Sequence, residues 1–308
     1  MQHLGNFLEQ FPTLRQRAAE AEQRRNARDK GQAECKAVSP QIAQLPLWDN
    51  ELRCLPNEIV RSALFNARNR KQARAYLKQA EIIVIGDGRI TYTGEELRQD
   101  DQTVWLQLIH MAKEQPLGQT IEFTAYSFCK AIGWPIDGRS YVRLRRCLVR
   151  MQATSLAACV QRRKTRGSQP VSLSVSLSMI PMFRWWDDET KLALRLYQVQ
   201  IAPPLVELFG NNYYTRIEWE QRLALPDGIA TWLHGYFASH KNNYAIFLDT
   251  LKQGAGITIK RKDHLKAKIE QALNALIRVG FLEKWEFVGE KVHVVRASHD
   301  KAAAKNRR

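Results

Sequence analysis

The same order of elements occurs twice along this chain, and the repetition restricts the folds that it can adopt. In each half, helical periodicity marks a helix, a short helix and a longer helix, and two strand-like runs follow. Helices in this order followed by a two-stranded hairpin are typical of a winged helix-turn-helix. The halves share this pattern rather than close sequence identity, which indicates an old duplication. We therefore predict an α+β fold with two tandem winged helix-turn-helix domains.

In the first half, a hairpin turning at Gly86-Asp87-Gly88 precedes a helix that Asp100 and Asp101 can cap. Thr124 is the expected N-cap of the short helix, and Gly133 is its expected stop. The longer helix is RSYVRLRRCLVRMQ, and the strands are SLAACVQRR and VSLSVSLSM. In the second half, the helices are PDGIATWLHGYFASH, FLDTLKQGAG and KRKDHLKAKIEQALNALIRVG, and the strands are FLEKWEFV and KVHVVRA.

Composition divides the chain into five segments. Residues 1–40 are rich in Gln, Arg, Glu and Ala, which predicts a polar helical or disordered arm. Residues 41–57 form an apolar, proline-containing linker that must dock either on its own domain or on a partner. The two domains are predicted at 58–186 and 187–298, and a basic tail follows at 299–308.

The charge of the chain indicates a polyanionic partner. The net charge is +16, and the stretch from Gly138 to Trp186 holds ten Lys and Arg but no Asp or Glu. Nucleic acid and an anionic membrane are the candidate partners. A membrane is disfavoured because no apolar run approaches the roughly 18 residues of a spanning helix, and the N-terminus lacks a signal-like apolar region. The five scattered cysteines include no CxxC pair, which argues against zinc and disulfides and for a reducing cytoplasm.

Two helices have a polar stripe opposite their apolar stripe, as DNA recognition helices require. On the first, we predict DNA contacts from Arg139, Arg143, Arg146 and Arg150, because arginine pairs bidentately with guanine and clamps phosphates. The helix has no acidic residue among these arginines, so we expect the stripe to lack acidic partners. A solvated basic surface is the alternative.

The second helix has a chemically more varied face, which suits base discrimination. Its predicted DNA-contacting residues are Lys260, Arg261, Lys262, His264, Lys268, Gln271 and Asn274. A plain amphipathic surface helix is the alternative. The basic turn Arg162, Arg163, Lys164 and Arg166 is predicted to be a wing tip on phosphates or in a minor groove, with a charged exposed hairpin as its alternative.

Several kinds of catalytic chemistry have no sequence support. There is no GxxxxGK[ST] loop and no HxH or HExxH pair. Asp187-Asp188-Glu189 could hold Mg²⁺, but three adjacent acids before Thr190-Lys191 are more simply explained as a helix start favoured by the helix dipole. We therefore expect no enzymatic activity, no cofactor and no metal site.

Short motifs along the chain resemble those of the TrfA-type plasmid replication initiators. They are Leu55-Pro56-Asn57, Ala63-Leu64-Phe65, Arg68-Asn69, Ile90-Thr91-Tyr92-Thr93-Gly94, Glu96-Leu97-Arg98, Gln152-Ala153-Thr154, Tyr214-Thr215, Trp219-Glu220 and Ser239-His240. The resemblance runs from about residue 44 to 296. It implies tandem winged helices that bind double-stranded origin repeats called iterons, open adjacent AT-rich DNA and recruit host proteins.

The resemblance also implies a set of partners and a cellular location. The expected partners are iteron DNA, single-stranded AT-rich origin DNA, the replicative helicase, the host initiator and a second copy of the chain in a monomer–dimer balance that limits copy number. No membrane partner is expected, and the location is the bacterial cytoplasm, at the nucleoid or plasmid.

One short segment is similar to the QLxLF peptide that binds the bacterial sliding clamp. It consists of Gln44, Leu45, Pro46, Leu47 and Trp48. Its apolar side chains would fill a pocket on the clamp, and Pro46 would lower the ordering cost. A segment that staples the arm to the first domain is the alternative.

Two other functions remain open at this stage. A transcriptional repressor with tandem winged helices would have no need for the clamp-like peptide. An origin-nicking enzyme would use a tyrosine nucleophile with a metal ion.

Overall fold

The computed structural model describes residues 43–86, 88–162, 171–185, 196–209, 213–241 and 245–297, and these have a mixed α/β fold. The elements of the first part are β1 (Leu52–Pro56), α1 (Asn57–Val60), β2 (Phe65–Asn66), β3 (Tyr76–Ile82), β4 (Arg89–Glu95), β5 (Leu97–Arg98), α2 (Gln99–Ala112), β6 (Thr120–Thr124), α3 (Ala125–Ala131), α4 (Gly138–Gln152), β7 (Ser155–Arg162) and β8 (Val171–Leu177). They are followed by β9 (Met182–Trp185), β10 (Leu196–Gln200), α5 (Leu205–Leu208), β11 (Tyr214–Glu218), α6 (Trp219–Ala224), α7 (Ile229–Ala238), β12 (Ile246–Phe247), α8 (Leu248–Gly254), α9 (Lys262–Arg278), β13 (Leu282–Val288) and β14 (Lys291–Arg296).

The repeated order of elements that the sequence predicts is present. In the first half α2, β6, α3 and α4 lead into the strands β7 and β8, and in the second α7, β12, α8 and α9 lead into β13 and β14. Local signals account for the boundaries. The Thr124 hydroxyl accepts a bond of 3.0 Å from the Ser127 amide at the start of α3, and Gly133, with φ +66°, follows its end.

The two repeats build their sheets differently. In the second, β12, β14 and β13 form one antiparallel sheet, so the hairpin pairs with the strand before α8. In the first, the hairpin joins a four-stranded sheet in the order β3-β4-β7-β8, while β6 pairs with β10 and β10 with β9.

The predicted hairpin around residues 86–88 exists, but its first strand lies earlier in the chain than the apolar run suggests. That strand is the largely polar β3, and only Ile82 of the run belongs to it. Ile83 and Ile85 leave the hairpin, and their backbones bond to Ala63 and Arg61. The departure brings the Ile85 side chain against the second repeat, which explains why an apolar run follows a polar strand.

Two hydrophobic cores organise the chain. The first contains buried residues from Leu45 to Trp219, and the second contains Ala67 and buried residues from Leu225 to Val294. The first core therefore draws on residues on both sides of the predicted domain boundary at 186 and 187. Strand β1, within the predicted linker, pairs antiparallel with β11, with Leu55 opposite Thr215.

Candidate DNA interface

Helix α4 has the two faces that the sequence predicts. Asp137 caps its N-terminus, because one carboxylate oxygen accepts a bond of 2.7 Å from the Ser140 amide. The buried stripe contains Leu144, Cys147, Leu148 and Met151. The exposed stripe presents Arg139 and Arg146, and beside them Val142 and Val149, which sequence reasoning overlooked. Apolar side chains beside arginines can contact thymine methyl groups in a major groove.

The other two arginines of the predicted stripe do have acidic partners, so the expectation that the stripe lacks them is wrong. Arg150 lies 2.5 Å from Asp101, and only 10% of its side chain is exposed. Arg143 lies 3.4 Å from Asp100 and 3.2 Å from Asp227, and it covers the Trp134 ring at 3.7 Å. The acids come from α2 and from the loop before α7, which is why the helix sequence alone cannot reveal them.

Asp100 and Asp101 form the centre of a buried ion network at the start of α2. Arg74 lies 3.0 Å from Asp100 and 2.6 Å from Asp101. Burial alone would raise the pKa of Asp100, but the guanidinium groups of Arg74 and Arg143 outweigh it and lower that pKa. The network fixes α4 on α2, so Arg150 serves to position the helix and is not exposed to a ligand.

Helix α9 exposes most of its predicted DNA face. Lys260 and Arg261, which precede the helix, are exposed, and so are Lys262, His264, Lys268 and Gln271 on it. Arg261 lies 2.5 Å from Asp263, and Lys262 lies 2.9 Å from Glu290. Asn274 is half-buried, and its side-chain oxygen accepts a bond of 2.9 Å from the Trp285 indole. Its orientation is therefore set by strand β13, and it is less available to a base than Gln271.

A groove with a volume of about 660 Å³ runs beside α9. One wall carries His264, Lys268 and Gln271, and the other is the loop 67–74, including Arg68 and Arg70. Sequence reasoning used Arg68-Asn69 as part of the family resemblance but assigned this loop no DNA contact. Its signal was visible in the run ARNRKQAR, which places four basic residues among eight.

Part of the predicted wing lies outside the described residues. Arg162 ends β7, and Arg163, Lys164 and Arg166 lie outside the described residues. The acids Asp187-Asp188-Glu189, which come after β9, also lie outside them. Their role stays a prediction.

The clamp-like segment is docked on its own domain. The Leu45 and Trp48 side chains are 2% and 8% exposed within the first core, whereas Leu47 is 73% exposed. The Gln44 amide donates to the Lys113 carbonyl. The segment thus packs on its own domain in the described residues. The arm that it was expected to staple lies outside those residues, and clamp binding stays a prediction.

Two features of the described residues bear on other functions. No group of three His, Cys, Asp or Glu side chains there is arranged as a metal site. In the same part of the chain, every helix is too short or too polar to cross a bilayer.

An exposed cationic helix in each of two repeated units defines a class of protein suited to bind nucleic acid. The TrfA protein family model matches residues 12–296, and the chain belongs to that family. The match begins at residue 12, so most of the arm belongs to the family region, contrary to the resemblance that began near residue 44.

A relative and two solved structures extend the comparison. The chain is 34% identical over 251 residues to the plasmid replication initiator protein TrfA of Escherichia coli, covering 81% of this chain and 63% of that protein. A crystal structure of a selenomethionine derivative of RctB domains 2 and 3 matches with a TM-score of 0.56 at 13% identity, covering 80% of this chain and 99% of that one. A second RctB domains 2-3 structure matches with a TM-score of 0.52 at 13% identity, covering 81% and 99%. These two likenesses concern the fold.

Proposed function

We propose that the protein is a non-enzymatic plasmid replication initiator that binds origin iterons through two tandem winged helix-turn-helix domains. The observation that carries the proposal is the pair of exposed cationic helices, α4 and α9, at equivalent positions of two repeats in a chain of the TrfA family. Two such helices in one chain can enter successive major grooves of a directly repeated site.

The two helices differ in chemistry, and we assign them different tasks. Helix α4 offers Arg139 and Arg146 for phosphates or guanines, and its other two predicted arginines are engaged by acids. Helix α9 offers Gln271, a side chain that can bond both adenine edge positions, beside His264 and Lys268. Affinity for DNA is thus assigned mainly to α4, and discrimination between bases is assigned mainly to α9.

Footprinting on the origin of the protein's own plasmid tests the function directly. The expected result is protection of directly repeated sequences, with contacts in successive major grooves on one face of the duplex. A scrambled duplex of equal length is the control. Equal affinity for both duplexes would contradict the proposal.

Gln271→Ala is expected to weaken binding to the origin repeat by about 1–3 kcal/mol and to relax preference at one base pair. The reason is that an alanine cannot replace the bidentate hydrogen bond to adenine. The measurement is a titration against the repeat, its single-base variants and a random duplex. The matched control is Gln253→Ala, an exposed glutamine on α8. An equal loss of affinity for the random duplex would show that Gln271 contacts the DNA backbone and not a base.

We also propose that the segment Gln44–Trp48 recruits the sliding clamp when it leaves the first core. Leu47→Ala is the informative change, because this side chain is exposed and its loss leaves the core intact. The variant should retain origin binding and lose clamp capture in a pull-down. If the Leu47→Ala variant captured as much sliding clamp as the wild-type protein, the clamp proposal would be wrong.

Two rival functions differ in what they would show in the same assays. A transcriptional repressor would bind its repeats but neither open AT-rich DNA nor capture the clamp or helicase. A nicking enzyme would leave a covalent tyrosine adduct on supercoiled origin DNA with Mg²⁺. The proposal predicts strand opening without an adduct, measured by permanganate reactivity and denaturing gels.

A further inference from the structure

We infer that the loop 67–74 is a third DNA contact, which binds a backbone phosphate between the duplex segments bound by α4 and α9. This inference rests on the proposed function. The loop is basic and exposed at its tip, where Arg70 and Lys71 project from the surface. None of the described carboxylates forms an ion pair with Lys71, and the Arg70 side chain is 53% exposed.

The base of the loop is held by a buried arginine. Arg98 is 1% exposed, and its guanidinium donates to the carbonyls of Asn69, Gln72 and Ala73 at 2.5 to 2.9 Å. Glu96 lies 2.8 Å from the same guanidinium and 2.7 Å from Arg68 of the loop, so the two arginines share one carboxylate. A buried ion pair of this kind often adds little to stability, but it can hold its surroundings in one specific geometry. Here the geometry held is that of the loop.

The tip itself is a defined turn. The Asn69 side-chain oxygen accepts a bond of 3.0 Å from the Lys71 amide, and its carbonyl accepts one of 3.1 Å from Gln72. Asparagine commonly sets such turns. Arg70 and Lys71 therefore project from a fixed backbone, which lowers the ordering cost of binding a phosphate.

The loop also contacts both repeats. The Ala67 amide donates to the Ala255 carbonyl at 2.8 Å, and Arg68 donates to the Gly256 carbonyl at 3.0 Å, which ties the loop to the turn that precedes α9. On the other side, Arg70 of the loop and Arg143 of α4 share Asp227, at 3.8 and 3.2 Å. These two arginines neutralise the acid that would otherwise repel a phosphate here.

This placement identifies the ligand chemistry. The loop borders the groove that His264, Lys268 and Gln271 line, so a duplex lying on α9 brings its backbone to the loop. A duplex that passes from one major groove to the next crosses its own phosphate backbone in between. The occupant is therefore a backbone phosphate, which carries no sequence information and adds to the salt dependence of binding.

The test uses the full chain and a labelled duplex of its own origin repeats, titrated between about 50 and 200 mM salt. For Arg70→Ala/Lys71→Ala, the slope of log affinity against log salt should fall by about two, because each lost phosphate contact removes about 0.9. Affinity should fall by the same factor on origin and random duplexes. The matched control is Arg216→Ala/Lys241→Ala, an equal charge change in a groove at the other end of α7, which should keep the wild-type slope.

A second variant separates positioning from charge. Arg98→Lys keeps the charge and the tip residues but cannot bridge three carbonyls, so a folded Arg98→Lys protein should also show a reduced slope. Ethylation interference should locate a sensitive phosphate between the two grooves in wild type and lose it in the double variant. Wild-type slopes in both variants would overturn the loop inference while leaving origin binding intact, whereas failure of wild type itself to prefer the origin would overturn the proposed function.

Discussion

Replacing Asp101 with asparagine is expected to lower the free energy of unfolding by about 3–5 kcal/mol, since it removes the buried carboxylate that two largely buried arginines share. Asp101 is fully buried and lies 2.5 Å from Arg150 and 2.6 Å from Arg74. It also accepts a bond of 2.8 Å from the Arg98 amide at the start of α2. Asparagine has nearly the same shape, so the loss reports charge and hydrogen bonding rather than a cavity.

Urea unfolding followed by circular dichroism measures this change. The control is Asp263→Asn, which removes an acid from an exposed pair with Arg261 and should alter stability little. We also expect weaker DNA binding by Asp101→Asn under conditions where it stays folded, because Arg150 no longer fixes α4. An unfolding free energy within 1 kcal/mol of wild type would show that the network is not needed to hold the helix.

Replacing Trp48 with alanine is expected to destabilise the protein by about 3–5 kcal/mol, the usual range for a buried tryptophan. Its ring stacks on Phe209 with centroids 6.1 Å apart, and its indole donates to a His110 ring nitrogen at 3.2 Å. Lys113 donates to the Trp48 carbonyl at 2.6 Å and faces the ring at 5.8 Å. The change removes the ring from these contacts and leaves a cavity in the first core.

Thermal unfolding of Trp48→Ala, Trp48→Phe and Leu47→Ala separates what the Trp48 ring, its indole N–H and the Leu47 side chain contribute to stability. Phenylalanine keeps an aromatic ring beside Phe209 but loses the indole bond and part of the ring volume, so it should cost more than the roughly 1 kcal/mol of the bond alone and less than alanine. Leu47→Ala should leave the melting temperature unchanged, because that side chain is exposed. A wild-type melting temperature for Trp48→Ala would mean that the segment is not docked in solution.

The sequence predicted the parts of the structure that depend on neighbouring residues. The buried stripe of α4 follows from the spacing of Leu144, Leu148 and Met151, and the start of α3 follows from Thr124. Helical periodicity and capping act over a single turn, so they can be read from a short window.

The sequence could not predict the parts that depend on distant residues. Arg143 and Arg150 meet acids from other elements, including Asp227, which lies 84 residues from Arg143 in the chain. The loop 67–74 was missed because its organising residue, Arg98, lies on β5 and bonds to it through backbone carbonyls. Long-range pairing of charges therefore decided which of the predicted arginines are exposed to a ligand.

The pairing of β1 with β11 has a consequence for the newly made chain. Pro56 lies opposite Tyr214, so β1 has no partner until about 160 further residues have been synthesised. At the usual rates of translation, this takes about ten to thirty seconds. During that interval Phe209 and Tyr214, which cover Trp48, have not left the ribosome. Each nascent chain therefore completes its clamp-like segment well before the two rings that close over Trp48.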